Sequence, residues 1–154
     1  GIGTRGLLDL PLTAFFASRQ CPGLAIRAAM DWALQQAQAG QVVASGFHSP
    51  LEQSVLKVLL TARSQVIAVL TRPLQGSKLP PAWQESMAKG RMAVISCTPD
   101  IKRLTIEGAE LRNRHIARMA SAIVVAHASP GGSLAGLITQ WEAEGKVVTM
   151  LSHQ

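Results

Sequence analysis

The sequence predicts an α/β protein: a doubly wound, mostly parallel sheet of about six strands with helices on both faces, Rossmann-like in character. Three observations carry that expectation. Short apolar runs rich in β-branched residues recur along the chain, segments of helical periodicity alternate with them, and glycine or proline marks the joints. Such alternation is the pattern of βαβ units, whose right-handed crossovers place helices on both faces of the sheet.

Leu12 to Ala17 (LTAFFA) is the first strand, ending in the polar pair Ser18–Arg19. Gly23 to Ala39 follows as a helix with an expected stripe of Leu24, Ala28, Trp32 and Leu34, and Gly40 stops it as a C-cap glycine would. Gln41 to Ser45 is the second strand. Ser49-Pro50-Leu51-Glu52 then shows capping-box spacing with proline at the first helical position, and its helix should run to about Arg63. Val66 to Leu70 is the third strand. Pro80 and Pro81 introduce a shorter helix that Gly90 closes, before the fourth strand, Met92 to Ser96. A basic, less regular segment from Asp100 to Ile106 leads into a helix over roughly Glu107–Ala120. Ala122 to Ala126 is the fifth strand. Pro130-Gly131-Gly132 turns into a helix ending at Glu144 and Gly145, and Val147 to Leu151 is the sixth strand. No repeat or low-complexity linker interrupts the series, so residues 1–154 read as a single Rossmann-like domain.

Composition narrows the class further. Apolar residues make up 47% of the 154 and charged residues 16%, which excludes disorder. No apolar run approaches the ~18–20 residues that span a bilayer, and no cationic stretch precedes an apolar one as in a secretory signal. A cytoplasmic protein without membrane association is therefore expected. Cys21 and Cys97 lie too far apart to suggest a disulfide framework or a zinc pair, and no metal site is expected. Fifteen basic against nine acidic residues give a net charge of +6. That sign suits polyanions such as nucleic acid or nucleotide phosphates, and equally well simple solubility.

In a parallel sheet the strands end on one edge, where ligands bind. The residues there are Ser18-Arg19-Gln20, Ser45-Gly46-Phe47-His48-Ser49, Thr71-Arg72, Ser96-Cys97-Thr98 and His127 through Ser133. Hydroxyls, glycines and arginines predominate, with no carboxylate until Glu52 and Asp100, an edge suited to an anion. In Ser129-Pro130-Gly131-Gly132-Ser133 the glycine pair allows close approach of a phosphate, although an ordinary strand-to-helix turn has the same composition. The loop matches neither the Walker A pattern nor GxGxxG, so triphosphate hydrolysis and a conventional NAD site are not expected. Lys102, Arg103, Arg112, Arg114 and Arg118, opposed by Glu107 and Glu110, could neutralise several phosphates or form a solvated helix face. His48 and His127 sit at strand ends, while His115 and His153 read as structural or exposed. Cys21 lies near a helix start, where a thiolate would be stabilised, but no His or Asp partner is placed beside it. Trp32 and Trp141 read as core, and Phe47 as a rim aromatic on which a base could stack.

The ordered set Ala17-Ser18-Arg19, Val43-Ala44-Ser45-Gly46 and Ile67-Ala68-Val69-Leu70 resembles the central domain of the DNA-processing protein A (DprA/Smf) family. The later stretch is closer still: Arg112-Asn113-Arg114-His115-Ile116-Ala117, Ile123-Val124-Val125 and Gly132-Ser133-Leu134 against R-N-R-x-I-A, a V-L-V-V-like strand and S-G-S-L-I-T-A. The resemblance implies an extended Rossmann-like fold and binding of single-stranded DNA, with recombinase loading in natural transformation as the competence role. Ser18, Arg19, Ser45, Gly46, Asn113, Arg114, Gly132 and Ser133 match the family's pocket positions, and His48, Arg112 and Gly131 complete the candidate site read from the strand ends. Where the family reads S-G-x-A-R-G-I-D, this chain has Ser49 for the arginine and Pro50 for the glycine, implying one lost phosphate contact and a stiffer loop.

The lysine-decarboxylase-like phosphoribohydrolases are similar in architecture and carry P-G-G-x-G-T-x-x-E. Here Leu134 and Ala135 replace the Gly-Thr, and Ile138 stands at the glutamate position. The expectation is therefore a non-enzymatic binder of single-stranded DNA, without a cofactor, for DNA uptake or recombination. The alternatives are a pocket for a small nucleotide, as sensor or degenerate phosphoribohydrolase, and a divergent interaction domain. A recombinase is the implied protein partner, and a homodimer is one arrangement open to the chain.

Overall fold

The computed structural model describes residues 2–3, 6–7, 10–71, 79–96 and 106–151. In chain order the elements are β1 (Ile2–Gly3), β2 (Leu12–Phe16), α1 (Gly23–Ala39), β3 (Val42–Ser45), α2 (Pro50–Thr61), β4 (Gln65–Leu70), α3 (Pro81–Ala88), β5 (Met92–Ser96), α4 (Ile106–Met119), β6 (Ala122–Val125), α5 (Ser133–Ala143) and β7 (Val148–Met150). The strands form one sheet in the order β1-β5-β4-β3-β2-β6-β7. From β5 across to β7 every pairing is parallel, which is the Rossmann-like sheet expected. Strand β1 was not foreseen. It pairs antiparallel with β5 through Ile2 opposite Val94 and Gly3 opposite Ala93, and two residues are too few to show a period.

Alternation along the central strands divides the core between the two faces. Phe15, Val43, Val66 and Val94 point to one side, where Trp32 of α1 and Val55 and Leu59 of α2 cover them. Phe16, Val42, Ile67 and Val125 point to the other, under Ile116 of α4 and Leu137 and Trp141 of α5. Each face is keyed by one aromatic pair: Phe15 stacks on Trp32 with centroids 5.0 Å apart, and Phe16 meets Trp141 at 4.9 Å.

The stripe expected on α1 is corrected at three positions, Leu24, Ala28 and Leu34, and keeps Trp32. The buried residues are Ala25, Ala29, Trp32 and Ala33, whereas Leu24 is 71% and Leu34 48% exposed. Alanines let the helix backbone approach the sheet closely, and Trp32 fills the remaining depth against Phe15. Gly40 ends the helix at φ +69 as expected, donating its N–H to the Ala37 carbonyl. Phe47 is also corrected. With φ +48 its side chain turns inward and is buried in the α1/α2 core, so it offers no face to a base.

Candidate functional site

From β2 the chain steps outward through β3, β4 and β5, then returns to lay β6 on the free side of β2. The loops after β2 and β6 therefore leave in opposite directions, and a crevice opens at their C-terminal ends. A cavity of about 430 Å³ occupies it. The β2 end contributes Ala17, Ser18 and Arg19, and the β3–α2 segment His48, Ser49 and Glu52. Helix α4 adds Ala109, Arg112 and Asn113, while Ser129, Gly132, Ser133 and Leu134 close the far side.

Ser18 stitches the two diverging loops together. Its N–H donates to the His127 carbonyl at 2.9 Å, and its Oγ accepts the Ser129 N–H at 2.9 Å. Glu52 does the same between β2 and the β3–α2 loop. Its carboxylate is buried; Oε2 accepts the Ala17 N–H at 3.0 Å, and Oε1 accepts the N–H groups of His48 at 2.9 Å and Ser49 at 3.2 Å. Ser49 Oγ in return accepts the Glu52 N–H, and Pro50 takes the first helical position, so the capping box read from the sequence is formed. The positions at which the family pattern carries Arg-Gly thus build the start of α2 in this chain.

Three side chains able to carry positive charge border the cavity: Arg19, His48 and Arg112. Arg112 is buried, and its Nε donates to Asn113 Oδ1 at 3.1 Å. It lies across the bare backbone of Gly46, where a Cβ would fall 2.5 Å from Nε. Burial pushes the His48 pKa below its ordinary value, Arg112 and Arg19 push the same way, and Glu52 opposes them. The imidazole is accordingly neutral at pH 7. Helix α5 starts at this cavity with Gly132 as a cap that offers no side-chain acceptor, so first-turn N–H groups remain for a ligand. The one carboxylate present, Glu52, is engaged by three N–H donors, leaving an electropositive, hydroxyl-lined pocket.

Of the candidate residues, Ser18, Arg19, His48, Arg112, Asn113, Gly132 and Ser133 come together on this cavity. Ser45 does not: it is fully buried and its Oγ accepts the Phe47 N–H. Gly46 underlies Arg112 rather than lining the cavity. Arg114 is exposed on α4 at 3.9 Å from Glu110, and Gly131 supplies the φ +75 of the turn. Arg112 is correspondingly not part of a solvated basic face. Burial, and then Glu52, push the Cys21 thiol pKa up, so nearness to a helix start does not make it a thiolate. His127 contributes its carbonyl, as above. Arg72, Cys97, Thr98, Asp100, Lys102, Arg103 and His153 lie outside the described residues. Glu52 was legible only as a cap; its reach to Ala17, 35 residues away, has no local signal. Among the described residues no group of three or more His, Cys, Asp or Glu could hold a metal ion, and no helix is long and apolar enough to cross a membrane.

The family model of DNA recombination-mediator protein A matches residues 2–153. The chain belongs to that family. Among curated protein sequences none matches it significantly. The fold is similar to DNA processing protein A (DprA) from Streptococcus pneumoniae, with a TM-score of 0.74 and 21% identity over 94% of this chain and 51% of that one. It is also similar to DNA processing protein A from Helicobacter pylori, a structure concerned with its single-stranded DNA binding mode. There the TM-score is 0.75 at 15% identity, covering 97% of this chain and 69% of the other. The Moco carrier protein of Chlamydomonas reinhardtii matches with a TM-score of 0.61 and 16% identity, over 94% and 77% of the two chains. At these identities the likenesses concern the fold, and this DprA-family chain spans about half the length of the Streptococcus protein.

Proposed function

We propose that this DprA-family chain binds single-stranded DNA through its phosphates, in DNA uptake or recombination, and does so as a binder rather than an enzyme. The observation that carries the reading is the convergence of Arg19 and Arg112, with the titratable His48 beside them, on the cavity at the sheet's C-terminal edge while Glu52 is engaged by backbone N–H groups. Cationic side chains and free helix N–H groups are the partners that phosphate oxygens take. Family membership favours DNA over other polyanions, and the Helicobacter relative is described as binding single-stranded DNA. On this reading the anion is the ligand itself and no resident cofactor is needed; a recombinase is the protein partner, and pairing with a second copy is compatible with it. The position that carries the phosphoribohydrolase glutamate is Ile138, which packs against the α4/α5 core and supplies no acid or base.

One observation favours a second reading, a small-nucleotide pocket: about 430 Å³ lies near the lower end for ligand cavities and accommodates a single nucleotide. Fluorescence-anisotropy titration of a labelled single-stranded oligonucleotide at several salt concentrations, with AMP as competitor, separates the two. DNA binding gives an affinity that falls with salt by a log–log slope of about 0.7 per phosphate neutralised and resists AMP. Displacement by AMP, with AMP also raising the melting temperature, would make the site a nucleotide pocket.

A further inference from the structure

A second cavity, of about 340 Å³, opens beside the first and shares Arg19 with it. The same two loops wall both. Ser18–Arg19 and His48–Ser49 face the first cavity, and the next residues along, Arg19–Cys21 and Pro50–Leu51, face the second. Arg19 is therefore the ridge between them. The character changes across that ridge. Ile26, 44% exposed, joins Pro50 and Leu51 to give the second cavity an apolar floor, and no carboxylate lines it. Burial and Glu52 favour the neutral Cys21 thiol on its wall. Gln20 supplies the amide that could meet a polar edge, whereas the Ser54 hydroxyl donates to the Pro50 carbonyl.

A cation on a ridge between a cavity bordered by further cationic and hydroxyl groups and one with an apolar floor matches a phosphodiester flanked by two nucleosides. Resting on the DNA-binding reading, we infer that the minimal ligand is a dinucleotide step, with its linking phosphate at Arg19 and the neighbouring base in the Ile26–Pro50 cavity. No aromatic side chain lines that cavity, so the base is held by apolar contact and shape rather than stacking. Linking two weak subsites through one covalent phosphate makes the second contact intramolecular, which raises affinity well beyond that of either part.

Competition against a labelled oligonucleotide tests this with dTMP, the dinucleotide pTpT, and the two dinucleotides in which one thymine is replaced by an abasic sugar. The expected result is pTpT binding at least about tenfold tighter than dTMP, with both abasic forms weaker than pTpT. Ile26→Asp, at a position 44% exposed, should shrink the ratio of dinucleotide to mononucleotide affinity. If dTMP competes as well as pTpT, or either abasic form matches pTpT, the second subsite is overturned while the phosphate site stands. If neither the oligonucleotide nor any competitor binds, the DNA reading falls and the subsite falls with it.

Discussion

Gly46 and Arg112 share one volume: the guanidinium lies where any side chain at position 46 would have to be. Gly46→Ala should therefore displace Arg112 from the cavity wall, weakening oligonucleotide binding, and should cost about 1–3 kcal/mol of stability through overpacking. Isothermal binding and urea denaturation of the same variant read the two effects. Glu52→Gln keeps the size of the side chain but replaces one acceptor oxygen with an NH2 facing N–H donors. A loss of about 1–3 kcal/mol in urea denaturation is expected for a buried polar group deprived of its partner. His48 sets a pH response. Its folded pKa lies below the ordinary 6.5, so as pH falls through that value the unfolded chain takes up the proton first and the ligand-free protein loses stability. A bound phosphate favours the imidazolium, so DNA affinity should rise over the same interval. His115, also lowered by burial and Arg118, contributes to the stability change but lies off the cavity. His48→Gln should flatten the pH profile of affinity and leave part of the profile of thermal stability; an unaltered affinity profile would remove His48 from the site.

At the scale of elements, helix α2 begins with a device that serves both folding and the site. Ser49→Ala removes the acceptor for the Glu52 N–H, and a loss of about 0.5–2 kcal/mol is expected in denaturant unfolding. That cap was readable from Ser49-Pro50-Leu51-Glu52 because a capping box is local. The same holds for the bounds of the strands and helices, which glycines and prolines such as Gly40, Pro50 and Pro81 punctuate. What stayed hidden depended on partners distant in the chain. The exposed side of α1 could not be foreseen from Leu24 and Leu34, because the distance of closest approach to the sheet selected Ala25, Ala29 and Ala33 instead. Phe47 looked like a rim residue by position, yet its left-handed backbone turns it into the core. Arg112 read as one cation of a basic run, whereas the notch over Gly46 buries it and leaves Arg114 outside. The cavity was legible as a set of strand ends, and which side chains line it depended on packing.

At the scale of the whole molecule, a net charge of +6 draws polyanions in, and on the proposed reading close phosphate contact falls to the cations that border the cavity, Arg112 among them and Arg114 not. Arg112→Ala should therefore lower the salt slope of oligonucleotide binding by about 0.7, one single-strand phosphate contact, whereas Arg114→Ala should leave the slope nearly unchanged. Equal effects of the two would mean that α4 meets DNA by its outer face. The seam at Ser18 has a further bearing on how the chain is made. The Ser129 N–H that closes on Ser18 lies 111 residues further along, and β6 is the last neighbour β2 acquires. On a ribosome adding roughly 5–20 residues per second, β2 waits roughly 5–20 seconds for that neighbour. Throughout the wait Ala14, Phe15 and Phe16 present an apolar strand edge to any other nascent chain. Premature termination before Ala122 would thus release half of a binding site together with an adhesive edge, which makes truncated products candidates for aggregation and clearance.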